Sequence, residues 1–166
     1  MTTLIEKSRA RATFELNLTN KKVYMSVDCT NFMNEKRFVV VIETKSFLKL
    51  WKNEPSPLSR NLNFGNIENW KRDRKYPDAE DGFSFGRNNP VPLANIVCYI
   101  NDENNLPYIA ISNGVTRTIW LLSHNVKYFP VECRNKDEAE LLIKAAGYKD
   151  TDISTVEKLL ECSKTS

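Results

Sequence analysis

The sequence predicts a mixed α/β domain, a mixed sheet flanked by helices, and three observations predict it. The first quarter carries short runs in which apolar and polar residues alternate with the period of a strand. The part after Pro90 reads strand, turn, strand, helix, strand, helix, helix. Strands and helices do not alternate regularly, as a doubly wound parallel sheet would require. At 166 residues, 41% hydrophobic, with eight Phe, six Tyr and three Trp, the whole chain 1–166 is expected to form one domain around one core.

The start, to about Arg11, carries no strong pattern and is expected to fray. Thr13–Leu18 alternates as a strand, Thr19–Lys22 turns the chain, and Val23–Val27 returns it. Phe38–Ile42 is a continuous β-branched and aromatic run, the mark of a buried strand. Thr44 or Ser46 is placed to cap a short helix carrying Phe47, Leu50 and Trp51. Residues 53–90 hold four prolines and three glycines, and about 53–81 is expected to be a mobile basic loop. Order returns with a strand from about Asn95 to Ile100, a turn at Asn101–Asn105 and a strand at Tyr108–Ile111. A helix over Thr116–Ser123 follows, with Val115, Ile119 and Leu122 on one face and Asn125 as a left-handed stop. Tyr128–Cys133 is a strand. Asn135 with Glu138 forms the cap of a helix that Gly147 ends, and a last helix spans about Ser154–Cys162.

Composition excludes several classes of function. The longest apolar run falls well short of the roughly 20 residues that cross a bilayer, and the first ten residues lack a signal peptide's apolar stretch. No membrane insertion and a cytoplasmic location are expected. Cys29, Cys98, Cys133 and Cys162 form no CxxC pair, and His124 is the single histidine, which excludes a His-rich metal site and favours reduced thiols. The net charge of +3 is too small to argue for nucleic acid, so any such argument must be local.

The segment Tyr108–Leu122 carries the chemistry. A buried strand meets Asn113-Gly114 and a helix begins at once. Helix N-termini present unpaired N–H groups and the positive end of a dipole, which suits an anion. Gly114 lets a ligand approach the backbone, Thr116 adds a hydroxyl, and Arg117 adds a planar two-pronged cation suited to phosphate. Asn113, Gly114, Val115, Thr116 and Arg117 are therefore candidate nucleotide-binding residues. The plain reading of Arg117 is a surface arginine.

The order strand, Asn-Gly-x-x-Arg, helix, then Phe129-Pro-Val131 on the next strand resembles the ParB/sulfiredoxin superfamily over about Asn89–Cys133. There a Gly-x-x-Arg box opens a helix and binds nucleotide phosphates. Two departures stand out. Val115 occupies the place of the sulfiredoxins' catalytic cysteine, and Val115-Thr116 replaces the acid and first arginine of the partition proteins. Within the superfamily, Asn89-Pro-Val-Pro-Leu-Ala94, Ser112-Asn-Gly-Val-Thr-Arg-Thr-Ile-Trp-Leu-Leu122 and Phe129-Pro-Val-Glu-Cys133 look most like the plasmid fertility-inhibition factors of the oncogenic-suppression type. The resemblance implies a ParB/sulfiredoxin-like domain, with its motif core at about 82–134, that blocks conjugative transfer of a competing element by ATP hydrolysis and DNA cleavage. It implies ATP and Mg²⁺ as cofactors and DNA as a partner. The alternatives are a non-catalytic module that occupies a coupling protein or relaxosome component, and a DNA-binding partition relative.

Three further groups have a functional and a plain reading. Among Asp78, Glu80 and Asp81, Glu80 is the expected catalytic acid and Mg²⁺ ligand, together with catalytic Arg117; otherwise this is a solvated acidic loop. Arg87 and Asn89 either approach a nucleotide or only turn the chain into its strand. Lys71, Arg72, Arg74 and Lys75, bounded by Trp70 and Tyr76, either grip single-stranded DNA by charge and stacking or form a solvated face over core aromatics.

Overall fold

The computed structural model describes residues 2–8, 10–29, 36–55, 61–148 and 153–160. It is a mixed α/β fold, as predicted, but with two sheets where one was expected. The first has the order β1 (Thr2–Lys7), β2 (Arg11–Asn17), β3 (Lys22–Asp28) and β5 (Val91–Pro92). The second has the order β7 (Pro107–Asn113), β6 (Ala94–Ile100), β8 (Tyr128–Cys133), β4 (Phe38–Glu43) and β9 (Ser154–Thr155). Each is mixed: β5 joins β3 in parallel, β6 joins β8 in parallel, and the other pairings are antiparallel.

The start expected to fray holds a strand among its described residues. Thr2–Lys7 pairs antiparallel with β2 through an irregularity between Leu4 and Glu6, and Thr2 Oγ1 donates to the Tyr128 carbonyl across the two sheets. A helix α1 (Thr44–Lys52) follows β4 and buries Phe47, Leu50 and Trp51. Its N-cap is Glu43, not Thr44 or Ser46, because the Thr44 hydroxyl is drawn away to the Val126 carbonyl.

The expected basic loop is ordered over its described residues from Asn61 onward. A 3₁₀ turn at Leu62–Phe64 leads into α2 (Ile67–Lys71) and then α3 (Tyr76–Ser84). Asn66 and Asn69 cap α2 reciprocally, side chain to backbone, at 3.0 and 3.2 Å. Pro77 stands in the first turn of α3, where a missing N–H costs nothing. Tyr76, Ala79 and Phe83, at helical spacing, are the buried stripe.

That stripe packs on α4 (Val115–Ser123). Val115, Ile119 and Leu122 were expected to form one apolar face. Instead Thr118 through Ser123 are all buried, so the last turns of α4 are covered on every side. Phe83 stacks on Trp120 with ring centroids 4.1 Å apart, and the Tyr76 hydroxyl meets Ser123 Oγ at 2.6 Å. Asn125 ends the helix at φ 54°, as its position predicts. Asn135 caps α5 (Lys136–Ala146) through the Glu138 N–H, and Gly147 ends it. The last helix is the short α6 (Val156–Leu159); the expected end at Cys162 lies outside the described residues. No helix among the described residues is long and apolar enough to cross a membrane.

Cys98 and Cys133 are unbridged and buried, and burial pushes each thiol up to about 12. Neither should react with a disulfide reagent at pH 8 in the native protein, because the thiolate is the nucleophile. Both should react once guanidinium unfolds the chain, and a time course of thiol release checks this. Phe83→Ala removes the ring that fastens α3 to Trp120. It should cost about 3–5 kcal/mol in urea unfolding.

Candidate functional site

The site forms where the two sheets share a seam. Val91 and Pro92 pair with Met25 and Ser26 in the first sheet, and Ala94 pairs with Val131 in the second. The chain changes sheets at Leu93, whose N–H is held by the Ser26 carbonyl at 2.9 Å. β7 delivers Asn113 and Gly114 to the same place, and α4 starts there.

Gly114 is the N-cap of α4 at φ 97°, a left-handed conformation that glycine adopts without strain. No side chain caps the helix, so the N–H groups of its first turn keep their donors for another partner. A Cβ at this position would lie 3.0 Å from the Ala94 methyl and within contact of the Arg117 guanidinium. Arg117, one turn into α4, therefore folds back over a bare backbone. It donates from Nη1 to the Pro92 carbonyl at 3.0 Å and from Nη2 to Asn113 Oδ1 at 3.2 Å. Burial lowers its affinity for the proton, opposed by the nearby Glu132 carboxylate. Glu132 is itself buried on β8 and ion-paired to Arg37 at 2.9 Å. Burial raises its pKa, against the pull of Arg37 and Arg117.

In front of this junction lies a cleft of about 460 Å³. Its floor and one wall are Ser112 to Arg117. The opposite wall is α3, through Asp78, Ala79 and Gly82, with Lys75 and Val91 at its margins. Two cations, one acid and an uncapped helix N-terminus thus meet in one concavity, a combination that suits an anion.

The structure brings together part of the predicted set. Asn113, Gly114, Val115, Thr116 and Arg117 line the cleft, and so does Lys75 of the basic cluster. Arg87 does not: it is exposed and pairs with Glu6 of β1 at 3.1 Å. Asn89 is exposed and also outside the lining. Glu80 projects from another side of α3, where Oε2 accepts from Trp120 Nε1 at 2.8 Å and Oε1 stands 3.6 Å from Lys21 Nζ. The acid that does line the cleft is Asp78. Its signal was helical phase: on a helix Asp78 and Gly82 share a face, whereas Glu80 lies about 160° away. Lys71, Arg72 and Arg74 are exposed at the α2–α3 corner, with Arg72 paired to Glu68. Trp70 and Tyr76 are buried beneath them, so neither ring is available to stack on a base. A second cleft of about 580 Å³, lined by Glu6, Ser8, Ala10, Arg11, Asp28 and Cys29, has no helix terminus, and Arg11 and Asp28 neutralise each other there at 2.9 Å.

Known proteins place this arrangement. The family model described as plasmid fertility inhibition factor matches residues 39–147, from β4 through the end of α5, including both walls of the cleft. The chain belongs to this family. Protein osa of Shigella flexneri is 30% identical over 118 residues, covering 66% of this chain and 56% of that protein. The chain thus spans little more than half the length of that curated relative. The crystal structure of an oncogenic suppression activity protein, described as a plasmid fertility inhibition factor and solved as a gold(I) cyanide derivative, superposes with a TM-score of 0.80 at 24% identity. That match covers 96% of this chain and 80% of the other, and it shows that the fertility inhibition fold is the fold seen here.

Gly114→Ala should cost about 1–2 kcal/mol for the left-handed backbone alone, and more for displacing Arg117. Gly114→Asn separates the two effects, since Asn tolerates this conformation yet still collides with the guanidinium. Urea unfolding should rank wild type above Asn and Asn above Ala, with Arg117 released from the Pro92 carbonyl in crystals of either variant.

Proposed function

We propose that this fertility inhibition factor blocks conjugative transfer by binding the phosphates of ATP or DNA in the cleft at the start of α4 and hydrolysing them there. The observation that carries the reading is the convergence of an uncapped helix N-terminus with Lys75, Arg117 and Asp78 in one concavity. The N–H groups of Val115 and Thr116 and the Lys75 ammonium supply donors for phosphate oxygens. Asp78, facing the same space, is the acid placed to take the proton of an attacking water. The ParB/sulfiredoxin-like order of strand, Gly-x-x-Arg and helix supports the same assignment.

Mg²⁺ fits less well than the nucleotide. Among the described residues no three His, Cys, Asp or Glu side chains gather as a metal-holding group, and Glu80 is held by Trp120 and Lys21. One observation favours a second reading, a non-catalytic module acting on a coupling protein or relaxosome: both terminal nitrogens of Arg117 are already bonded within the fold.

The readings part in vitro. Asp78→Asn should lower phosphate release from ATP by at least about tenfold while nucleotide affinity holds, because only the proton acceptor is lost. Lys75→Ala should weaken nucleotide binding about ten- to hundredfold, the worth of a charge-assisted hydrogen bond to phosphate. Calorimetric titration and a phosphate-release assay measure both. A wild-type protein that releases no phosphate and binds no nucleotide, yet still inhibits mating, establishes the second reading instead.

A further inference from the structure

Phe64 and Phe85, each 62% exposed, are the most exposed large apolar side chains among the described residues. Phe64 is so although its neighbour Asn63 is fully buried and its turn is held firmly. Asn63 Nδ2 donates to the Trp51 carbonyl at 3.3 Å, and Trp70 Nε1 donates to the Leu62 carbonyl at 2.9 Å. The turn is thus tied to α1 on one side and to α2 on the other, with Phe64 directed outward between the ties. Gly65 allows this closeness, since a Cβ there would lie 2.7 Å from the Trp70 indole nitrogen. A pinned, solvent-facing phenyl ring exposes apolar area at a cost that packing alone does not explain.

The chain that follows is basic. α2 buries only Trp70, so Ile67 and Lys71, one turn apart, face solvent together. Arg74 and Lys75 come next, both exposed, and Lys75 lines the cleft. Among the described residues Lys71, Arg74 and Lys75 enter no ion pair; Arg72 alone of the four is paired, to Glu68. The Asp73 carboxylate is turned to the Lys75 backbone N–H at 2.9 Å. An exposed aromatic ring on a tied turn, followed in the chain by unpaired cations, offers the two contacts a single nucleic-acid strand makes, base stacking and phosphate neutralisation. In a duplex the base faces are covered by their neighbours, so the ring would have nothing to meet.

We propose that Phe64 is a base-stacking platform for single-stranded DNA, and that the strand passes from it over Lys71 and Arg74 to Lys75 at the mouth of the cleft. This deepens the DNA part of the proposed function and rests on it. It replaces Trp70 and Tyr76, which are buried, with an aromatic that is exposed.

Fluorescence anisotropy with an oligo-dT strand and with a duplex of equal length tests it, using the full chain. Wild type should bind the single strand more tightly. Phe64→Ala and Phe64→Leu should both lose at least about fivefold on the single strand with no change on the duplex, and Phe64→Trp should restore binding. The salt dependence should be unchanged by Phe64→Ala, but Lys71→Ala and Arg74→Ala should each reduce its logarithmic slope by about 0.7. Equal single-strand affinity of wild type and Phe64→Ala, with DNA binding intact, overturns the platform and leaves the DNA reading standing. A wild type that binds neither DNA form at low salt overturns both. Loss of mating inhibition in Phe64→Ala without loss of oligonucleotide affinity also overturns the platform, since the ring would then face a protein.

Discussion

The constraint on which the rest of the structure depends is the burial of the last turns of α4 on every side. A helix at the rim of a sheet needs one apolar stripe, but α4 carries Ile119, Trp120, Leu121 and Leu122 in succession and buries all four. The sheet covers one flank only. A second layer must cover the other, and residues 61–84 are what the chain has available between β4–α1 and β5. Trp70 from α2 and Tyr76, Ala79 and Phe83 from α3 supply that layer. The cleft follows from the same arrangement. α3 reaches across α4 and leaves a trough beside its first turn, where Val115 and Thr116 are not enclosed as their successors are.

The second constraint is the seam. A chain that leaves one sheet at Pro92 and enters another at Ala94 has little room for a loose backbone, and Arg117 fastens that crossing by its bond to the Pro92 carbonyl. The fastening works because Gly114 has no Cβ to block the guanidinium. Behind it, Glu132 and Arg37 pair in a buried setting and continue to the Asp28 carbonyl, which Arg37 Nη2 holds. A line of charged groups therefore joins the end of β3 to the start of α4. Buried ion pairs often add little net stability, and what they supply is a fixed relative position of the groups they join.

Strands and caps were legible in the sequence because their signals are local. Phe38–Ile42 and Tyr128–Cys133 announce themselves by composition, Asn135 by its partner three residues on, and Asn125 by its place after an apolar helix. The region 53–90 was not legible, although its evidence was present. Tyr76, Ala79 and Phe83 have helical spacing, but Pro77 and Gly82 inside the same nine residues mask it, and only the demand of α4 for a cover makes the helix necessary. The candidate site was half legible for the same reason. The floor, Asn113 to Arg117, lies in one continuous motif. The opposite wall depends on the phase of a helix that the sequence hides, and phase is what separates Asp78 from Glu80.

The Gly-x-x-Arg motif has to be weighed in the same light. Gly114 and Arg117, the residues that most suggest phosphate chemistry, are both required by the fold: one by its φ of 97°, the other by the seam it closes. Packing alone accounts for their presence, so their presence is weak evidence for catalysis. Lys75 and Asp78 differ. Asp78 gains a little from the dipole of α3, but neither side chain enters an ion pair among the described residues, and both face the cleft. Both are exposed, and nothing in the packing of the fold requires either charge at its position. The proposed function of this cleft therefore rests more on the wall that the motif omits than on the floor that the motif spells out.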